Sequence, residues 1–226
     1  MIKNKLITVE EYQRTVNESM SSINRKINQA NLMVEFLEFI NAPEQFYIAR
    51  DLELDGPLGE IPSILNKAKT DDEKEDLKLI IFSNLAMKPQ GDITRFIRKF
   101  KHIVDSDHAT DFFEEQMDYA EKTAIKIEDT PHVDTKFINN ELRADEDLQE
   151  QMKSSIEKFE IKSKKDMTRM KPIQDVQKCQ LFLNNIDYRI VNTFDETEKD
   201  ELLHLIKGCQ ESLNELKSSL KAGETI

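Results

Sequence analysis

Apolar residues in this chain return at intervals of three and four. Ile23, Ile27, Ala30, Val34 and Leu37 step by four, three, four and three, and Ile93, Phe96, Ile97, Phe100 and Val104 form a second stripe. Leu202, Ile206, Cys209, Leu213, Leu216 and Leu220 form a third. Such spacing lines side chains along one face of an α-helix, whereas a half-buried strand would alternate. Only 5 Gly and 6 Pro occur in 226 residues, too few for the turns that an all-β chain of this length needs. The expected fold is all-α, a multi-helix protein with an N-terminal helix-turn-helix-like segment and a C-terminal antiparallel helical hairpin.

Cap and breaker residues divide the chain into helices. Thr8 with Glu11 fits a capping box that opens a short helix to about Val16, and Ser21 or Ser22 caps a longer one. Asn41 and Pro43 end that helix and start another over about 44–54, and Gly56-Pro57 breaks the chain again. A helix is expected over 58–68 with Pro62 in or near its first turn, where the missing N–H costs little. Asp71 or Asp72 caps a helix to Met87. Asp92 caps the next through Val104, and Asp107 starts one to about Ile127. Residues 128–135 carry Pro131 and no periodicity, so they read as a linker between 1–127 and 136–226. Residues 136–170 form a charged, weakly amphipathic helix, and Lys171-Pro172 is a further break. Helices over about 173–191 and 195–221 then pair as the hairpin.

Catalytic signals are poor, and no enzyme is expected. The four His, at 102, 108, 132 and 204, have no Cys or His at ligand spacing around them, so no metal site is read. Gly56-Pro57-Leu58-Gly59 is a turn and lacks both common phosphate-loop spacings, so no cofactor is expected. Acidic runs such as Asp71-Asp72 suit helix N-termini by the dipole argument. Two Cys imply neither a disulfide framework nor a zinc site. No apolar run approaches the roughly 20 residues that span a bilayer, and the first residues have no signal-peptide core. The expectation is a cytoplasmic protein with no membrane role.

Charge is more informative. Lys+Arg 32 against Asp+Glu 44 leaves a net charge of −12. Basic residues cluster nonetheless: residues 1–30 net +2, residues 88–102 net +4 and residues 162–178 net +4. The helix after Ser22 turns its apolar stripe inward and leaves Asn24, Arg25, Asn28 and Gln29 on its other surface. Asn and Gln bond adenine bidentately and Arg bonds guanine, so this is a set that major-groove reading uses. A short helix, a tight connection over Asn17–Met20 and this helix have the spacing of a helix-turn-helix. Asn17 tolerates the left-handed conformation, in place of the usual turn Gly.

The strings SINRKINQANLMVEFLEFI from Ser22 to Ile40, EQFYIAR from Glu44 to Arg50, IIFSN from Ile80 to Asn84 and GDITRFIRK from Gly91 to Lys99 resemble ParB-like proteins. The resemblance runs from the helix-turn-helix to the C-terminus of that family, and so covers nearly all of this chain. It implies a DNA-binding protein of the plasmid-partition type, with double-stranded DNA as partner. Asn24, Arg25, Asn28 and Gln29 would face base edges, and Ser21, Ser22 and Lys26 would hold phosphates. Arg95, Arg98 and Lys99 would be further phosphate contacts. ParB-like proteins begin with a ParB/sulfiredoxin-type α/β domain that carries nucleotide or nuclease motifs. Seven residues precede Thr8 here, and the expectation is that this domain is absent. Glu18 also departs from the pattern, standing where an apolar residue normally tucks into the motif's core.

Two other readings stay open. An acidic helical adaptor would bind a protein partner through the C-terminal hairpin, without nucleic acid. A DNA mimic would use residues 103–161, which net −11. Within the hairpin, Cys179 and Cys209 are expected as neighbouring, buried, reduced thiols. The heptad interval of the last helix, with Leu203 and Leu205 beside it, points to a homodimer through residues 173–221.

Overall fold

A computed structural model describes residues 8–130 and 133–222. The side chains of Val9–Tyr12 and Ala222 also lie outside the described set, and with them the Glu11 half of the expected capping box. The fold is all-α, with no strand among the described residues. Its helices are α1 (Val9–Val16), α2 (Met20–Phe39), α3 (Phe46–Asp51), α4 (Asp55–Leu65), α5 (Asp71–Met87), α6 (Ile93–Arg98), α7 (Phe100–Val104) and α8 (Ala109–Glu128). After α9 (Thr135–Phe137) and a π-helical turn (Ile138–Leu142) come α10 (Glu146–Asn184), α11 (Tyr188–Val191) and α12 (Glu196–Ala222). The chain divides into two compact units, the first ending at Arg169 and the second beginning at Met170; α10 contributes to both.

The first unit is built round α5. Ile80 to Met87 are buried without interruption, so this helix has no solvent face over two turns and is enclosed by its neighbours. Of its two polar residues there, Asn84 is tied across helices, whereas the Ser83 hydroxyl is buried without a partner. Asn84 Nδ2 donates to the Gln116 side-chain oxygen of α8 at 3.2 Å and to the Ile80 carbonyl at 2.8 Å. Gln116 Nε2 in turn donates to the Met152 carbonyl of α10 at 3.4 Å. Phe112 lies edge-on to Phe100 and Phe159, joining α7, α8 and α10.

The C-terminus of α5 is closed by the segment after the π-helical turn. Lys88 takes the left-handed conformation (φ 50°), which stops the helix and turns its last carbonyls outward. Arg143 donates to the Leu85 and Ala86 carbonyls, and Gln149 donates to that of Met87 at 2.6 Å. A guanidinium there also meets the negative end of the helix dipole. Burial pushes Arg143 down to about 10.

Several expected boundaries move, each for a local reason. The cap of α2 is Ser19, whose hydroxyl accepts from the Ser22 N–H at 3.2 Å; Ser21 and Ser22 lie inside the helix. Thr70 caps α5 in place of Asp71 or Asp72. Gly56-Pro57 does not break the chain: both sit in the first turn of α4, where an N–H has no helical acceptor to lose. Pro62 falls inside α4 rather than at its start. The helix expected from Asp92 to Val104 divides at Lys99 into α6 and α7. The expected inward stripe of α2 holds only at its ends, because Ala30 is exposed and Leu32, Phe36 and Ile40 turn inward instead.

Lys171-Pro172 is no break either. Pro172 lies within α10 and removes only the N–H that would meet the Thr168 carbonyl. Every residue from Met167 to Lys178 is exposed, so solvent reaches that carbonyl. Within 128–135, where a linker was expected, Val133 is fully buried and Asp134 caps α9; Pro131 and His132 lie outside the described residues.

The second unit holds the end of α10, α11 and α12. None of its described residues is buried. The expected burial of both thiols is not found: Cys179 is half-buried and Cys209 exposed. Their stripe-mates Val176, Leu183, Ile206 and Leu213 are 40–45% exposed.

Candidate functional site

Two surfaces stand apart from ordinary solvated helix faces. The first is the polar side of α2. It follows α1 through a turn in which Asn17 takes the left-handed conformation (φ 53°), as its short polar side chain allows. Glu18, at the end of that turn, accepts from the Ser22 hydroxyl at 2.8 Å and from the Lys26 ammonium at 2.5 Å. Those two donors hold the Glu18 carboxyl below its ordinary range. The residue that departs from the ParB-like pattern is thus a clamp on the first two turns of α2.

The ten residues singled out from the sequence separate into two groups. Ser22 and Lys26 are engaged by Glu18, and Gln29 donates to the Asp55 carbonyl of α4 at 2.7 Å. Arg95 pairs with Asp92 at 3.1 Å, and Arg98 pairs with Glu60 at 2.6 Å. Lys99 pairs with Glu160 of α10 at 3.2 Å. The Ser21, Asn24, Arg25 and Asn28 side chains are exposed and hold no hydrogen bond or ion pair among the described residues. At 100° per residue those four occupy an arc of about 100° on α2. A helix presenting one cation and two amides on such an arc can offer bidentate donors and acceptors to a flat, polar edge.

Sequence reasoning missed how often each cation has a carboxylate beside it in space. Glu160 receives both Lys99 and Lys164, at 3.2 and 2.6 Å. Burial alone would raise its carboxyl, and the two ammoniums outweigh that and lower it. His108 Nε2 lies 2.7 Å from Asp166 Oδ2, with the Ser163 hydroxyl 3.0 Å from that of Ser106 nearby. Lys164 is four residues from Glu160, but Lys99 and Glu160, His108 and Asp166, and Arg98 and Glu60 stand 38 to 61 positions apart in sequence, so no local signal could have joined those pairs. No group of three His, Cys, Asp or Glu able to hold a metal ion occurs among the described residues. None of the described helices is long and apolar enough to cross a membrane.

The second surface is apolar. Fifteen large apolar side chains from Met170 onward are 38–75% exposed. Phe182 and Tyr188 are the extremes at 75% and 70%. So many exposed large apolar side chains in one short unit are uncommon on a protein that works alone.

Comparison with family models, with curated proteins and with solved structures finds no match for this chain.

Proposed function

We propose that the chain is a non-enzymatic helical adaptor whose second unit docks a partner helix. The observation that carries this reading is the contrast between the units. The first buries a continuous apolar core from Leu32 to Phe159. The second buries nothing and leaves its apolar side chains in solvent. Helices without a packed face are marginal in water, so a unit of this kind gains its stability from what it binds. A photoreactive phenylalanine analogue in place of Phe182 should cross-link to another polypeptide on irradiation, and the same analogue in place of exposed Tyr47 should not. Equal, negligible cross-linking at both positions would remove the support.

A second reading, duplex-DNA binding of the ParB-like kind through α2, draws support from the free arc of Ser21, Asn24, Arg25 and Asn28. The pairing of Lys26, Arg95, Arg98 and Lys99 with carboxylates leaves few cations for phosphates, so binding on this reading is modest and its salt dependence shallow. Arg25→Ala and Asn28→Ala are each expected to weaken sequence preference by about 1–3 kcal/mol if their contacts are bidentate. Fluorescence anisotropy on random and enriched duplexes measures this. Negligible binding by wild type at low salt ends the DNA reading.

A further inference from the structure

We infer that α10 carries a joint at Thr168–Pro172, a single turn that opens and closes while the helix on either side stays formed. Before this turn the helix is held at nearly every step. Gln149 donates to the Met87 carbonyl at 2.6 Å, and Met152, Ile156 and Phe159 are buried in the core of the first unit. Lys158 pairs with Glu115 of α8 at 2.6 Å, and Glu160 with Lys99 at 3.2 Å. Ser163 Oγ lies 3.0 Å from the Ser106 hydroxyl, and Asp166 lies 2.7 Å from His108. Asp166 is the last of these ties.

Every residue from Met167 to Lys178 is exposed. Among the described residues, the side chains of this stretch make two polar contacts, both inside α10. Thr168 Oγ1 donates to the Lys164 carbonyl at 2.8 Å, and Lys178 stands 3.7 Å from Asp175. No apolar burial compensates, because Met167, Met170 and Ile173 are about half exposed. The stretch is thus about 18 Å of helix standing in water, at a length where an isolated helix is marginal even with good helix formers.

Two defects single out one turn of it. Pro172 has no N–H for the Thr168 carbonyl, and its ring crowds that same carbonyl. One turn earlier, the Thr168 hydroxyl shares the Lys164 carbonyl with the helix, a bond that weakens and bends helices. Lys164 to Thr168 and Thr168 to Pro172 are successive links in one row of the backbone ladder, so the second defect adds to the first. The division between the two compact units falls in the same turn, at Arg169 and Met170. Opening there redirects α10 and costs the first unit none of its buried contacts. The exposed apolar residues beyond Pro172 gain room to turn toward a partner while the helix before Asp166 stays fixed.

Pulsed electron paramagnetic resonance on the full chain tests this. Nitroxides are attached through Gln151→Cys and Gln180→Cys, both exposed positions of α10, with Cys179→Ser and Cys209→Ser removing the native thiols. An unbroken helix sets the two backbone sites about 44 Å apart on one face. With Pro172 in place, a broad distance distribution is expected, extending about 5 Å or more below the unbroken value. Pro172→Ala restores the missing N–H and should narrow the distribution toward that value. A second pair, Gln151→Cys with Lys165→Cys, lies wholly before the joint and should stay narrow with proline or alanine at 172. Circular dichroism checks that each labelled variant keeps its helix content. A narrow distribution at the unbroken length with Pro172 present overturns the joint. Breadth that Pro172→Ala leaves unchanged overturns it as well, and so does equal breadth in the second pair, which would mean that α10 frays along its whole length.

Discussion

Phe112→Ala is expected to lower the stability of the first unit by about 3–5 kcal/mol, a large part of what a domain of this size possesses. Phe112 is fully buried. Its ring stands edge-on to Phe100 at 5.4 Å and to Phe159 at 5.6 Å, and lies tilted against Phe113 at 6.1 Å. Truncation removes a ring that joins α7, α8 and α10. The cavity it leaves is walled by other rings that cannot collapse into it without losing their own edge contacts. Phe112→Leu fills part of that volume and should cost markedly less. Urea titration followed by circular dichroism measures both. A loss below about 1.5 kcal/mol for the alanine variant, the range of a tolerated core swap, would mean that the three helices do not meet at this ring.

Arg143→Met is expected to cost about 2–4 kcal/mol, although the replacement keeps most of the aliphatic length. The guanidinium bonds the Ala86 carbonyl at 2.9 Å, the Leu85 carbonyl at 3.3 Å and the Asn139 side chain at 2.9 Å. The methionine would leave two carbonyls at the end of α5 without donors in a site that water reaches poorly. Arg143→Lys should recover only part of the loss, because an ammonium cannot spread over three acceptors as the planar fork does. The same titration decides it: equal stability of the methionine variant and wild type would show that solvent satisfies the end of α5 unaided.

Much of the helical punctuation was legible because its causes are local. Asp92 caps α6 through a 3.0 Å bond to the Arg95 N–H, and such a cap is written within four residues. Asn17 is similar, since its φ follows from its own side chain. What escaped notice depends on partners far along the chain. The inward face of α10 runs Leu148, Met152, Ser155, Ile156, Phe159, Ser163. Two serines in that row made the helix read as weakly amphipathic. Ser163 is buried because its hydroxyl donates to the Phe159 carbonyl at 2.8 Å and lies 3.0 Å from the Ser106 hydroxyl, which no hydrophobic pattern records.

The candidate site divides the same way. That Asn24, Arg25 and Asn28 are exposed on one side of α2 follows from helical spacing alone. Gln29 lies on the same side by spacing, yet it meets the Asp55 carbonyl, 26 residues on. Net charge summed along a window also misled. The +4 over residues 88–102 suggested a basic face, but Glu60 and Glu160 reach into it from α4 and α10. The even spread of exposure over the second unit had no sequence signal, because its stripes look like those of any paired helix.

The chain of amides from Asn84 through Gln116 to the Met152 carbonyl fixes the axial register of three helices. Apolar surfaces alone would let α8 slide along α5 by a turn, about 5.4 Å, and meet similar side chains again. Each such step would strand Asn84 and Gln116 among aliphatic neighbours, at about 1–3 kcal/mol for every polar group left unpaired. The first unit therefore has one alignment of α5, α8 and α10, and a variant such as Gln116→Leu would remove the means of telling it from its neighbours.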